Sequence, residues 1–369
     1  MIKINMIQKS LNSIREFRNV FMLFLIISIC FGCTTQTNSQ LEQAIINDYI
    51  NNWSGILNNN SAVIVVGDKY GLIDNTGKII MEPKFQLVFP LYDGLAISGS
   101  LIDSCDCLKY GFVNSSGHLV VNYKYSKVQN FSEGLAAFSI LNDQQKLRWG
   151  YLDKSGKEII SPQYLRAKPF YDGKAAVMDS SGKWGFIDKN NNFKIKPTFD
   201  DVLFFTEGLC AVNIQNQFGF IDESGNIVIT PKYDAVIFFN EGYCPVMKDN
   251  KVGFIDKNGN LALPISFDNA KPFSSGIAPV LVNGKWGYID QKGNYKIEPQ
   301  FDDAYMFFND KALVRIGDKF GFINTDGKYL INPKYDFLTQ FIGGIAEASI
   351  ASLEKRGYIN EKEEWIYNY

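Results

Sequence analysis

The stretch Lys183-Trp184-Gly185-Phe186-Ile187-Asp188-Lys189-Asn190-Asn191 decides the fold. Trp184 to Ile187 is aromatic and β-branched around one glycine, which favours a strand. Asp188 to Asn191 reads as a hairpin turn: the Asp side chain opens it, and the fourth residue must accept positive φ, as Gly or Asn does. Asp222-Glu223-Ser224-Gly225, Asp256-Lys257-Asn258-Gly259 and Asp290-Gln291-Lys292-Gly293 repeat that turn. The strand glycine recurs at Gly71, Gly111, Gly150, Gly185, Gly219, Gly253, Gly287, Gly321 and Gly357, at intervals of 40, 39, 35, 34, 34, 34, 34 and 36 residues. A fixed period in this range means an array of small identical units.

Two further segments complete each unit. The return strand, such as Ile227-Val228-Ile229, runs into Pro231-Lys232-Tyr233. Proline holds that slot at Pro83, Pro162, Pro197, Pro231, Pro299 and Pro333, with Tyr123 and Ile265 as exceptions. Proline donates nothing to a ladder, so the strand must end there or lie at an edge. The aromatic two residues on (Phe85, Tyr125, Tyr164, Phe199, Tyr233, Phe267, Phe301, Tyr335) predicts a stacked aromatic spine. Then comes Phe205-Thr206-Glu207-Gly208-Leu209-Cys210-Ala211-Val212, an acid–Gly turn and a small, apolar strand. Cys210 and Cys244 stand where siblings carry Ala96, Ala136, Ala175, Ala278 and Ala346. Both read as small buried hydrophobes, and lying in adjacent units they are either free thiols or a disulfide. Cys105-x-Cys107 is poorly spaced for zinc and reads as a vicinal-type disulfide or free thiols.

The expected fold is therefore all-β: about eight three-stranded units over 61–369, stacked as an open superhelical or solenoid-like array, with Gly357 beginning a ninth that stops. A closed propeller-like ring is the alternative, disfavoured because propeller blades usually have four strands and ~40 or more residues. Leu41, Ile45, Tyr49, Trp53 and Ile56 form a helical stripe that predicts a capping helix over 41–60.

Residues 1–32 read as a signal peptide: Lys3, Lys9, Arg15 and Arg18 precede an apolar run from Val20 to Phe31, too short to span a bilayer. Gly32-Cys33 at its end resembles the lipobox of bacterial lipoproteins, although Cys30 replaces the usual Leu. That resemblance implies lipidation of Cys33, a tether over 33–40 and attachment to the outer membrane. Four basic residues and one acidic residue fall in 1–32, leaving 33 basic and 38 acidic. That mild acidity, without a basic block, disfavours nucleic acid as a partner.

Lys183-Trp184-Gly185-Phe186-Ile187-Asp188 and Lys285-Trp286-Gly287-Tyr288-Ile289-Asp290, with the turn Gly, Pro-x-aromatic and Phe-x-Glu-Gly-Leu-Ala, closely resemble the WG-repeat (KWG-repeat) proteins across 61–369. Val252, Arg356 and Asp310 depart from the pattern. The resemblance implies a bacterial β-rich repeat protein used as a surface or interaction module, and it carries over no catalytic residue.

Reactive-looking residues fall mostly in periodic slots, which are usually architecture. His118, the only histidine, holds a turn position, so His-based catalysis and multi-His metal sites lose their support. Asp200-Asp201, Asp302-Asp303, Asp234, Asp268 and Asp336 sit beside turns, where carboxylates cap backbone amides. Paired as in a glycosidase, they are the enzymatic alternative. A row of them binding Ca²⁺ is a weaker option. Between Pro and the aromatic, the side chain varies: Lys84, Lys124, Gln163, Thr198, Lys232, Ser266, Gln300 and Lys334. These form the candidate recognition ladder. No cofactor or metal is expected. The functional expectation is a non-enzymatic, envelope-anchored scaffold presenting a β surface to a protein or glycan, with a purely structural spacer as a further alternative.

Overall fold

A computed structural model describes residues 61–102 and 107–369. The signal peptide, Cys33, the tether and the predicted helix over 41–60 lie outside the described residues. The described chain is strand, turn and one 3₁₀ turn at Ala351–Leu353.

The open array is not what forms. Nine antiparallel sheets follow one another: 61–85, 87–125, 127–164, 166–199, 201–233, 235–267, 269–301, 303–335 and 337–368. The first has three strands among the described residues and each of the others four. The last sheet packs on the first. Ala62, Ile64 and Ile73 share a buried cluster with Ile345 and Tyr358, against which Ile366 and Tyr367 pack. The Asn75 amide donates to the Gly343 carbonyl at 3.2 Å, and the chain closes into a ring.

The unit contains a strand that the sequence reading missed. In six blades the first strand is two residues long, as at Ala235–Val236 and Asp303–Ala304. A strand of that length has no readable period, and it lets a four-stranded blade fit into 34 residues. It lies at the sheet edge nearest the axis, where the blades converge. At the other edge, the seven-residue strands such as Ile227–Tyr233 show only the third and seventh residues buried, as suits an outer wall. Proline therefore sits on an edge strand, as its missing N–H requires. The final motif at Gly357 is the third strand of a complete ninth blade, Lys355–Asn360, and not the start of a truncated unit.

Each sheet is apolar on both faces because alternate side chains point to opposite neighbours. In blade five, Val202, Cys210 and Val212 join Trp184 and Phe199 of blade four, while Leu209, Ala211 and Phe220 join Phe239 and Cys244 of blade six. Blade five's sheet therefore stands between Cys210 and Cys244, and both are free thiols. Burial pushes the Cys210 thiol up to about 12 and raises Cys244 further. Cys107 is disulfide-bonded, with its partner outside the described residues.

The predicted spine of aromatics after Pro does not stack on itself. The repeated contact instead pairs the aromatic after the motif glycine with a Phe nineteen residues later, on the next blade. Phe112–Phe131, Tyr151–Phe170, Phe186–Phe205, Phe220–Phe239, Phe254–Phe273, Tyr288–Phe307 and Phe322–Phe341 have centroids 4.7–5.1 Å apart. Rings at this separation are attractive beyond their burial.

The motif glycine lets the outer strand lie on the third. A Cβ on Gly287 would stand 2.6 Å from the Ile297 carbonyl and 2.7 Å from the Pro299 nitrogen, both backbone. Gly287→Ala is expected to destabilise the ring by about 1–3 kcal/mol through forced backbone shift, measured by urea unfolding.

Candidate functional site

The turn that opened the reading is built as expected. Asp188 N–H donates to Asn192 O at 2.9 Å, and Asp188 Oδ1 accepts from the N–H groups of Asn190 and Asn192 at 2.9 Å each. Asn191 has φ of 66°, where Gly225, Gly259 and Gly293 have 87°, 81° and 84°. His118 is exposed in the equivalent turn of blade two, its N–H on Asn114 Oδ1 at 3.0 Å.

The carboxylates after the outer strand are also committed to neighbours. Asp200 Oδ2 accepts from Gln215 N–H at 2.8 Å, and its other oxygen meets the Lys183 ammonium. The same pattern joins Asp268 to Asn283 N–H and Lys251, Asp302 to Gly317 N–H and Lys285, and Asp336 to Ala351 N–H and Lys319. The Lys of Lys-Trp-Gly thus pairs with the Asp seventeen residues on, and together they pin the hairpin between the second and third strands. Asp201, adjacent to Asp200, instead accepts from Val202 N–H at 2.8 Å on the innermost strand. The two carboxylates serve different groups and form no acid–base pair.

The Lys183 ammonium, then the Gln215 N–H, holds the Asp200 carboxyl below its ordinary value. Hydrogen bonds lower ten other aspartates, at Asp74, Asp153, Asp179, Asp188, Asp222, Asp256, Asp268, Asp290, Asp302 and Asp336. A carboxyl lowered by folding stabilises the fold above its unfolded value, about 3.9, and that contribution is lost as pH falls through the folded value. The melting temperature is accordingly expected to drop steeply between about pH 5 and pH 2. A triple Asp200→Asn, Asp268→Asn, Asp302→Asn variant should show a shallower slope in the same melting series.

One charged cluster is fully desolvated. Lys271 and Asp303 side chains are 4% and 9% exposed, with Nζ 3.3 Å from Oδ1. Lys271 Nζ also donates to the Ala304 carbonyl at 2.6 Å and lies 4.7 Å from the Trp286 ring centroid and 4.1 Å from that of Tyr305. The Tyr305 hydroxyl donates to Asp303 Oδ2 at 2.9 Å. Three blades earlier, Lys168 repeats the arrangement, donating to the Val202 carbonyl at 2.5 Å and lying over Trp184. Burial lowers its ammonium, and Asp201 partly offsets this. Each lysine reaches from one blade to the open innermost strand of the next, so both act as staples.

On the face bearing the acid–Gly turns, Glu133, Tyr171, Asp172, Phe205, Glu207 and Glu223 line a groove of about 390 Å³ across blades three to five. Its acids are again occupied: Glu133 accepts from Gly173 N–H and pairs with Lys189 at 3.2 Å, and Lys174 pairs with Glu223 at 3.3 Å. Among the described residues, no group of three or more His, Cys, Asp or Glu is placed to hold a metal ion.

Lys84, Lys124, Gln163, Thr198, Lys232, Ser266, Gln300 and Lys334 are all exposed, each at the sixth position of an outer strand. A ring distributes them around its circumference, one per blade, so a compact ligand meets only neighbours. Lys84, Lys124, Lys232 and Lys334 each lie 5.0–5.4 Å over the following aromatic. Sequence reasoning missed the apolar belt beside them: Ile79, Leu119, Phe193, Ile227, Leu261, Tyr295 and Tyr329, first residues of outer strands, are 39–55% exposed. An alternating strand pattern would have revealed it. It also missed a polar irregularity, since Tyr125 Oη, Gln129 Oε1, Asn130 Oδ1 and Ser139 Oγ are buried without hydrogen-bond partners around the seam of blades two and three.

Radially packed four-stranded sheets closed into a ring define a β-propeller, here of nine blades. The chain belongs to the WG containing repeat family, which matches residues 70–97, 110–143, 149–183, 184–217, 218–251, 253–286, 286–320 and 320–350. No curated protein matches it in sequence. Similar solved structures include BamB from Moraxella catarrhalis, with a TM-score of 0.43 and 12% identity over 79% of this chain and 97% of that one. KlHsv2 with loop 6CD replaced by a Gly-Ser linker has a TM-score of 0.39 and 9% identity over 64% and 94%. The WD40 β-propeller domain of Doa1 has 0.30 and 13% over 61% and 86%. At such scores none of them bears on function. No helix among the described residues is long and apolar enough to cross a membrane.

Proposed function

We propose that this propeller is a non-enzymatic binding scaffold, tethered through lipid on Cys33 to the bacterial outer membrane, that presents its rim to a protein or glycan of the envelope. The observation that carries the reading is the commitment of the reactive-looking carboxylates. Asp200, Asp234, Asp268, Asp302 and Asp336 each accept a hairpin N–H at 2.7–2.8 Å. A general acid needs a carboxyl held protonated near neutral pH, and four of these five are shifted the opposite way. The lipid anchor rests on the leader and Gly32-Cys33.

The test is affinity capture from envelope extract with the intact ring as bait, beside a glycan-hydrolysis screen. One saturable partner and no turnover is the expected result. Hydrolysis abolished in a folded Asp200→Asn/Asp201→Asn variant would establish the enzymatic alternative, and capture of no specific partner would favour the spacer. Mass spectrometry should find Cys33 acylated at the mature N-terminus, and an unmodified N-terminus beyond it would remove the anchor.

A further inference from the structure

Outer strands of a propeller are open edges, and a proline there blunts pairing with another chain. Of the eight seven-residue outer strands, seven contain one: Pro83, Pro162, Pro197, Pro231, Pro264, Pro299 and Pro333. Leu119–Tyr125 of blade two, reading Leu-Val-Val-Asn-Tyr-Lys-Tyr, is the exception. Tyr123 stands in the proline slot and keeps a backbone N–H. Its hydroxyl meets Ser98 Oγ at 3.0 Å, and Ser98 pairs with Gly111, so the ring crosses the sheet at that glycine and turns away from the open edge. The ninth blade's outer strand, Trp365–Asn368, also lacks proline, but it is four residues long and follows Glu361, Glu363 and Glu364.

Charge singles out the same strand. From Cys107 to Ser132 there is no Asp or Glu, while Lys109, His118, Lys124 and Lys127 are present. The turn that opens with Asp in six blades opens here with Asn114, and the position that is Asp200 or Asp234 elsewhere is Ser126. The one acid paired with this strand is Glu158 of blade three, 3.6 Å from Lys124. Leu119 and Val120 are 44% and 39% exposed, which leaves apolar surface along this edge strand.

We infer that the Leu119–Tyr125 edge is a docking site for an extended, acid-bearing peptide strand of a partner protein, which adds to blade two through main-chain hydrogen bonds. This deepens the scaffold reading and rests on it. Backbone pairing supplies the affinity in such augmentation, and side chains supply the selection. Here Lys124 favours carboxylates, and Leu119 and Val120 favour alternating apolar residues.

The test uses the intact ring and the fluorescein-labelled peptide Glu-Val-Glu-Ile-Glu-Val-Glu in an anisotropy titration at low salt. Saturable binding is expected, with Kd at least about tenfold weaker for Tyr123→Pro, which installs the residue the siblings already carry. The peptide with Lys for Glu should bind at least about tenfold more weakly than the acidic one. If Tyr123→Pro fails to fold, Lys124→Glu, a change at an exposed side chain, serves in its place with the same expected loss. Equal binding by a folded Tyr123→Pro, no saturable binding by the wild type, or equal preference for the Lys peptide would overturn the inference. Self-association of the wild type that is abolished by Tyr123→Pro would overturn it too, by assigning the edge to a second copy. Envelope capture that persists unchanged in Tyr123→Pro sinks this site alone, whereas loss of specific capture by the wild type sinks the scaffold reading.

Discussion

A chain ending at Glu364 is expected to lose the closed ring. The five residues removed include the outer strand of blade nine, Trp365–Asn368, and with it Ile366 and Tyr367, which pack on Ala62, Ile64 and Ile73 of blade one. They also remove one of two tyrosine hydrogen bonds across the seam. In six blades a carbonyl near the start of the second strand accepts from the residue that follows the innermost strand, as when Lys271 N–H donates to Pro279 O at 2.9 Å. In blade one that acceptor is Val63 O, and it receives the Tyr358 hydroxyl at 2.8 Å and the Tyr369 hydroxyl at 3.2 Å. Two tyrosines of the ninth blade therefore satisfy the carbonyl that the residue after an inner strand satisfies elsewhere. Loss of Ile366 alone should cost about 2–5 kcal/mol, and the whole strand more. The measurements are a thermal melt, which should broaden and fall, and small-angle scattering, which should show a larger radius. Tyr358→Phe, which deletes one hydrogen bond and no strand, should cost only about 1 kcal/mol. A truncated chain that melts like the full one would show that the seam contributes nothing.

Lys271→Met should be the most damaging single change at a polar residue. It preserves the length of the side chain, yet leaves the Asp303 carboxylate buried without its cation and the Ala304 carbonyl without its donor. Breaking a buried pair from one side typically costs about 3–5 kcal/mol, because an uncompensated charge stays in a low dielectric. Adding Asp303→Asn should recover a large part of that loss, since the amide oxygen still accepts from Ala304 N–H and its NH2 can donate to the Tyr305 hydroxyl. Lys168→Met provides the contrast. Its chief acceptors are the carbonyls of Val202 and Leu203, so the expected cost is about 1–3 kcal/mol. Urea unfolding of the three variants beside the wild type reads all of this. A Lys271→Met loss no larger than that of Lys168→Met would show that the ion pair with Asp303 adds nothing beyond the carbonyl hydrogen bonds.

Much of the fold was legible because it repeats. The strand at Trp184 to Ile187, the turn at Asp188 to Asn191 and the small strand at Leu209 to Val212 all announce themselves by composition and spacing. The closed ring did not, because its decisive element is the two-residue innermost strand, too short to carry a period. Nor does any pattern in the sequence bring Val63 to Tyr358; that contact follows from the wedge shape of nine blades. Cys210 and Cys244 were correctly placed as buried alanine equivalents, but their separation by a sheet depends on which face each occupies. The eight residues of the proposed ladder are exposed, yet their geometry changes when a straight stack becomes a circle. The Lys271 cluster was invisible for a different reason: Lys168 and Lys271 hold a slot filled elsewhere by Phe89, Gln129, Leu203, Ile237, Tyr305 and Thr339, and only packing shows that two of its occupants are desolvated cations.

The tyrosine seam has a consequence for biogenesis. Val63 and the hydroxyl of Tyr358 are 295 residues apart, so at ~5–20 residues per second a ribosome needs roughly 15–60 s to deliver the second after the first. Blade one must spend that interval with Ile64 and Ile73 uncovered, and no subset of nascent chain can protect them as the finished molecule does. Closure is therefore post-translational, and an escorting chaperone, or export before folding, would be needed to keep the newborn first blade from sticking to its siblings.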